Sequence, residues 1–326
     1  MSNLKFCWGF PYCVMEALKV YYKRNVFRSI DIDLMNYAPD AGKEDLINLT
    51  KSYIEDTTGI KYKHVIITNG TVGAINTVLR VLKKKENKSI CITHKYVFPY
   101  YEHIIDKNGY KHVTGLYKDH ERQLAQKGVV GLVDSPSNPE GDILLYTDNH
   151  NNIIWDSVYS NPVYINGIAM TPDHRVNCGS FSKVLGLTGL RVGYIATNND
   201  DDYNLFLKDN LYENSSISVP SQDLTIDILN NIDMYNFMRS AKYRINNNRE
   251  MWDKIVYLFE GQAVPEDGMF FAAWTSPYTV KLLNKLGITF IELDKDGKNK
   301  YIRFNLAQTN DITLKAIKMI QNKDRI

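Results

Sequence analysis

Short runs of β-branched and apolar residues recur along the first two thirds of the chain, and several are followed by stretches whose apolar positions fall at helical spacing. The runs near 65–68, 89–93, 112–116, 129–133, 153–156, 175–179 and 192–197 predict seven strands. After the first of them, Val72, Ile75, Val78, Leu79 and Leu82 share one helical face. Strands alternating with helices predict an α/β fold, with a largely parallel sheet covered on both faces. From about Ser221 the pattern becomes one helical stretch through Tyr257. Beyond it, Met269 to Trp274, Ile288 to Ile291 and Tyr301 to Leu306 read as short strands around two helices, which predicts a smaller α+β domain.

Composition narrows the function more than the fold. With 326 residues and 44% hydrophobic content, the chain is long enough for one sizeable core plus a smaller domain. A formal charge of +2 gives no electrostatic case for nucleic acid or an anionic membrane. Lys83, Lys84 and Lys85 are expected to be a solvated helix end near its C-terminal dipole. No run approaches roughly 18 apolar residues, and the start lacks a charged region followed by a long apolar one, so a cytoplasmic protein is expected. Cys7, Cys13, Cys91 and Cys178 are scattered and read as reduced thiols. The seven histidines show no zinc-ligand spacing, so no metal is expected.

One short stretch carries the chemistry. Gly179, Ser180, Phe181, Ser182 and Lys183 are followed by Gly186, Gly189, Arg191 and Gly193, the pattern of a lysine that carries pyridoxal 5'-phosphate as a Schiff base, with an arginine for the phosphate. Such a lysine must be deprotonated part of the time, and a desolvated site beside another cation lowers its pKa towards that state. Gly70 and Thr71 follow the strand near 65–68, where backbone amides opening a helix form an anion site. Downstream, Ser135 to Gly141 reads Ser-Pro-Ser-Asn-Pro-Glu-Gly, and the run Ile153, Ile154, Trp155 ends in Asp156, with Tyr159 three residues on. Asp156 stands at the carboxyl end of a parallel strand, where ligands bind in open α/β sheets. A carboxylate there can hold a pyridine nitrogen protonated.

With these motifs in view, the chain resembles the fold-type I pyridoxal-phosphate enzymes of the class I/II aminotransferase group over almost its whole length. The resemblance implies a seven-stranded, mostly parallel large domain at 36–220 and a small domain made of 1–35 and 221–326. It implies Lys183 as the Schiff-base lysine, Asp156 as the partner of the pyridine nitrogen, and Asn138 and Tyr159 as donors to the phenolic oxygen. Gly70, Thr71, Ser180 and Arg191 correspond to the phosphate cup, with Ser182 beside it. Phe98 corresponds to the aromatic stacked on the ring, with Tyr96 or Tyr100 as alternatives. Arg303 corresponds to the arginine that grips the substrate carboxylate, and Asn138 to a second substrate-binding residue. Tyr37 corresponds to a tyrosine that reaches the neighbouring site across a homodimer interface.

The activity so implied is amino-group transfer between an amino acid and a 2-oxo acid with ping-pong kinetics. A carbon-sulfur β-lyase or decarboxylase shares the same cofactor residues, and a non-catalytic cofactor-binding module is a third possibility. Asn138 and Asp156 lie closer in sequence than is usual in the group, and the chain is short. Trp8, Phe10 and Tyr12, with Tyr212 and Asn214 from a neighbouring subunit, are candidates for reading the substrate side chain. Within the group, Trp-Asp-Ser-Val-Tyr at 155–159 and Ile-Arg-Phe-Asn-Leu at 302–306 look most like the alliinase and tryptophan-aminotransferase branch.

Overall fold

A computed structural model describes residues 4–7, 9–22, 36–115, 124, 126–143, 152–166, 175–260 and 262–324. After a two-residue strand β1 (Leu4–Lys5), the main sheet is built from β2 (His64–Asn69), β3 (Ile90–Thr93), β4 (Lys111–Thr114), β5 (Val129–Asp134), β6 (Ile153–Asp156), β7 (Val176–Ser180) and β8 (Val192–Thr197). Its order is β2-β8-β7-β6-β5-β3-β4. All pairings are parallel except those of β8, which runs antiparallel to both β2 and β7.

The strands are apolar on both faces because both faces are covered. In β2, Ile66 packs beneath the helix Gly70–Glu86 with Ile75, Val78, Leu79 and Leu82. Its neighbours Val65 and Ile67 point the other way, towards Leu46, Ile54 and Ile228 of the helices Glu44–Thr58 and Val219–Asn231. Each fully buried aliphatic side chain in these layers contributes roughly 1.5–3 kcal/mol on burial. Lys85 departs from the expected solvated helix end, since its ammonium reaches the buried Asp202 carboxylate at 2.9 Å.

The predicted single helix from Ser221 to Tyr257 is two, Val219–Asn231 and Met234–Asp253. Ile232 is extended between them, and the Asp233 side chain accepts from the Asn236 N–H. A carboxylate that satisfies a first-turn amide starts a new helix in place of continuing the old one.

The second sheet holds β9 (Phe270–Thr275), β11 (Ile291–Asp296) and β12 (Asn299–Asn305), while β10 (Ile288–Thr289) pairs in parallel with β1. The run predicted at 288–291 therefore divides between two sheets. β12 is central and antiparallel to both neighbours. Beneath it, Phe304 lies 4.4 Å from Trp252, which meets Phe6 edge-on at 5.4 Å. The Asn305 N–H donates to the Phe6 carbonyl, and the Cys13 N–H to that of Ala307, so Phe6 and Cys13 are both tied to the chain at the end of β12. Among the described residues no helix is long and apolar enough to cross a membrane.

Candidate active site

A cavity opens at the carboxyl ends of β5, β6 and β7, where three parallel strands stop and their loops diverge. Lys183 reaches it from the short helix Phe181–Val184, whose N-terminus is capped by Ser180 accepting from the Ser182 N–H at 3.0 Å. The ammonium donates to the carbonyl of Gly9. Burial, with Arg191 and Arg303 adding to it and Asp156 opposing, brings the Lys183 amine down to about 8. It is thus a cation that gives up its proton near neutrality.

On one side of Lys183 is an anion cup. Gly70, with φ +66, begins a 17-residue helix and so puts unpaired amides at the cavity wall. The Arg191 guanidinium occupies the space that a Cβ on Gly70 would need, and a Cβ on Gly193 would collide with the Gly70 backbone. Arg191 itself is held at φ +57, in the left-handed region, which costs a non-glycine residue about 1 kcal/mol. The Thr71 hydroxyl is buried without a hydrogen-bond partner, and Thr71, Ser180, Ser182 and Arg191 all line the cavity.

On the other side is Asp156, whose Oδ2 accepts from the Tyr101 hydroxyl at 2.6 Å and Oδ1 from the Val158 N–H at 3.0 Å. Burial raises its carboxyl to about 6, against the pull of those two bonds and of Lys183. Tyr159 is buried in the same wall, and its phenol is pushed well up by burial and pulled back by Arg303. Of the three aromatics considered for stacking, Phe98 lines the cavity, with Tyr101 edge-on at 5.8 Å. Tyr100 is exposed, and Tyr96 turns its hydroxyl to Asp294 at 2.7 Å.

Arg303 is buried on β12 and donates through Nη1 to the Asn138 Oδ1 at 2.7 Å. Its guanidinium lies 4.2 Å over the Phe270 ring, which meets Tyr159 edge-on at 5.8 Å. Asn138 and Arg303 thus stand beside Phe270 and Tyr159 at the edge of the cavity. Burial pulls the Arg303 pKa down, and no carboxylate among the described residues pairs with it.

Residues 11–317 match the model of the family aminotransferase class I and II. The chain belongs to that family. It is therefore an enzyme of the pyridoxal-phosphate-dependent aminotransferase kind. A histidinol-phosphate aminotransferase of Methanosphaera stadtmanae is 24% identical over 280 residues, covering 80% of this chain and 71% of that protein. An aromatic aminotransferase from Pyrococcus horikoshii superposes with a TM-score of 0.76 at 16% identity, covering 98% and 94% of the two chains. N-succinyldiaminopimelate aminotransferase from Mycobacterium tuberculosis gives 0.77 at 17% identity, covering 98% and 93%. At those identities the structural likeness speaks for the fold alone.

Three groups at this cavity were not singled out from sequence: Tyr101, Asp134 and the Gly9 carbonyl. Tyr101 closes the aromatic run 96–101, in which only Tyr96, Phe98 and Tyr100 are candidates for stacking. Asp134 ends a strand as Asp156 ends the next, a parity visible in the sequence. The Gly9 carbonyl left no signal. Of the side-chain readers considered, Phe10 and Tyr12 pack on each other at 4.7 Å, Tyr212 is exposed, and Asn214 donates to Asn210; Trp8 lies outside the described residues.

Proposed function

We propose that this enzyme passes an amino group from an amino acid to a 2-oxo acid, with pyridoxal 5'-phosphate held at Lys183. The observation that carries the reading is the place of Lys183, an amine near neutrality between a carboxylate and an anion cup. The donor set fits the cofactor. The orphaned Thr71 hydroxyl, the helix-opening amides at Gly70 and the exposed Arg191 guanidinium suit a phosphate. Asp156, buried and bonded by Tyr101, suits a protonated ring nitrogen, and Phe98 suits the face of a ring.

When bound, the cofactor supplies an electron sink for the charge left on the amino acid Cα. The protein positions and moves protons. Tyr159 and the Asn138 amide nitrogen are the donors for the phenolic oxygen. Arg303, a buried cation with no paired carboxylate among the described residues, takes the substrate carboxylate as a planar fork. That contact aims the Cα–H bond, a positional contribution to rate. The Lys183 amine, once free, is the base that carries the proton off Cα. Tyr37 is 86% exposed, which leaves it available to a second copy in a homodimer.

The test is the visible spectrum of purified protein with pyridoxal phosphate, before and after single amino acids are added without a 2-oxo acid. Stoichiometric conversion to pyridoxamine phosphate and a 2-oxo acid supports transfer. Release of pyruvate and ammonia, or of carbon dioxide, would replace it with a lyase or decarboxylase reading.

A further inference from the structure

β5 and β6 run parallel with Asp134 opposite Asp156, so two carboxylates stand side by side at the strand ends. Both are buried, and both line the cavity. Adjacent strands lie about 4.8 Å apart. Two anions that close, away from water, cannot both be ionised cheaply, and a shared proton resolves the conflict.

The donors decide which of the two keeps the charge. Asp156 accepts from Tyr101 and from the Val158 N–H and lies in the field of Lys183. Asp134 accepts one bond, from the Asn138 N–H to Oδ2 at 2.9 Å. Its Oδ1 is buried and has no hydrogen-bond partner. The other charged or titratable groups around it are Glu140 and His94, which pair at 3.3 Å, Tyr159 on the turn after β6, Lys183 after β7, and Arg303 of β12, reached through Asn138.

We propose that Asp134 is a positioning residue that enters the working site as a neutral carboxylic acid, leaves the negative charge of the pair on Asp156, and offers its Oδ1 hydroxyl to the cavity as a hydrogen-bond donor. This deepens the aminotransferase reading and rests on it for the identity of the acceptor, an anionic ring oxygen seated beside Tyr159. Oδ2 does the second part of the work, since by holding the Asn138 N–H it fixes the residue whose side chain holds Arg303. An ionised Asp134 would repel the same oxygen. Burial first, then the Asp156 charge, raises the Asp134 carboxyl to about 8, in keeping with the donor count.

The experiment begins with protein free of cofactor, so that it does not depend on the proposed chemistry. Infrared difference spectroscopy of wild type against Asp134→Asn at neutral pH is expected to show one protonated carboxyl band that the variant lacks. The band should bleach with a midpoint above neutrality, and in Asp156→Asn that midpoint should fall by about one unit or more as the neighbouring charge is removed. In parallel, Asp134→Asn should gain stability relative to wild type as pH rises from 3.8 towards about 8, because the wild-type folded state holds a proton that the unfolded chain releases. No such band in wild type, or an identical band in Asp134→Asn, overturns the proposal. If Asp134→Asn folds poorly, Asp134→Glu takes its place, and a band at an unmoved midpoint there counts equally against it. With cofactor added, Asp134→Asn, which keeps an N–H donor, should hold the pH midpoint of the visible band closer to wild type than Asp134→Ala does. Equal shifts in both would remove the donor role. Failure to bind pyridoxal phosphate at all would sink the functional reading and leave the cofactor-free titration standing.

Discussion

The guanidinium of Arg303 and the amide oxygen of Asn138 are joined by a 2.7 Å hydrogen bond between positions 165 residues apart. The bond ties the central strand of the small sheet to the loop after β5 and uses one Nη of the fork. The rest of the fork rests on the Phe270 ring as a buried cation with unmet charge. A carboxylate entering here gains a charge-assisted pairing without first ordering a flexible side chain.

Arg303→Gln should therefore raise the amino acid concentration needed for half-saturation by about 10- to 100-fold, the range of one lost charged hydrogen bond. Arg303→Lys should recover only part of that, because it keeps the charge and loses the fork. Single-turnover rates against amino acid concentration measure both, and normal saturation in Arg303→Gln would place the carboxylate elsewhere.

Capture of pyridoxal phosphate by the free protein should quicken with pH and level off above about 8, where the Lys183 amine has lost its proton. The sign follows from burial and from two cations that disfavour the charged form. Arg303→Gln removes one of those cations, so its midpoint should move upward. Lys183→Ala should abolish the absorbance change that wild type shows on mixing with pyridoxal phosphate, and a change like that of wild type would remove the lysine assignment. Stopped-flow absorbance over a pH series reads all three.

Tyr101→Phe deletes the 2.6 Å donor to Asp156. That bond favours the carboxylate, so its loss should raise the Asp156 midpoint and shift the acid limb of kcat to higher pH. The expected fall in kcat at neutral pH is roughly tenfold, the worth of one hydrogen bond to a charged group. A pH–rate profile identical to wild type would count against the pairing.

Gly70→Ala should cost about 1–2 kcal/mol of stability through its positive φ, and it should also displace the Arg191 guanidinium. The specific signature is a larger loss of affinity for pyridoxal phosphate than for unphosphorylated pyridoxal. Equal losses for the two would mean that the cup does not hold the phosphate.

Away from the site, Asp202 is buried and pairs with Arg175 and Lys85, and its pKa is lowered, with burial opposing and the Arg175 and Lys85 contacts prevailing. A depressed carboxylate contributes stability above its unfolded pKa near 4 and loses it as pH falls through the folded value. Asp202→Asn should cost about 3–5 kcal/mol at pH 7 by stranding the cations, and should flatten the acid limb of the stability curve. Denaturant titrations across pH would show it.

The strands of the main sheet were legible because runs such as Val65–Ile67 and Ile153–Trp155 are buried on both sides and are long enough to read, whereas β1 is two residues long and β11 is half-exposed and mostly polar. The reversed direction of β8 was not, since a run buried on both faces has the same composition whichever way it points. The end of the helix Val219–Asn231 was hidden too: Ile232 continues the apolar pattern, and the Asp233 cap overrides it. Lys183, Arg191 and Asp156 stood out because short local motifs carry them. Tyr101 and Asp134 lie beside Asp156, and only the folded chain brings them there. The left-handed backbone of Arg191 has no mark in the sequence, because arginine does not ordinarily adopt it.

Phe6 and Thr289, 283 residues apart, meet where the N-terminal arm is sewn into the small sheet. A ribosome makes the Gly9 carbonyl that touches Lys183 long before it makes the strand bearing Arg303. Its strand partner β10, and the β12 backbone that the Phe6 carbonyl accepts from, emerge only near the end of synthesis, so the pocket closes late in the birth of the molecule. A nascent chain stalled before residue 288 would lack the β10 and β12 contacts that help to hold the arm over Lys183.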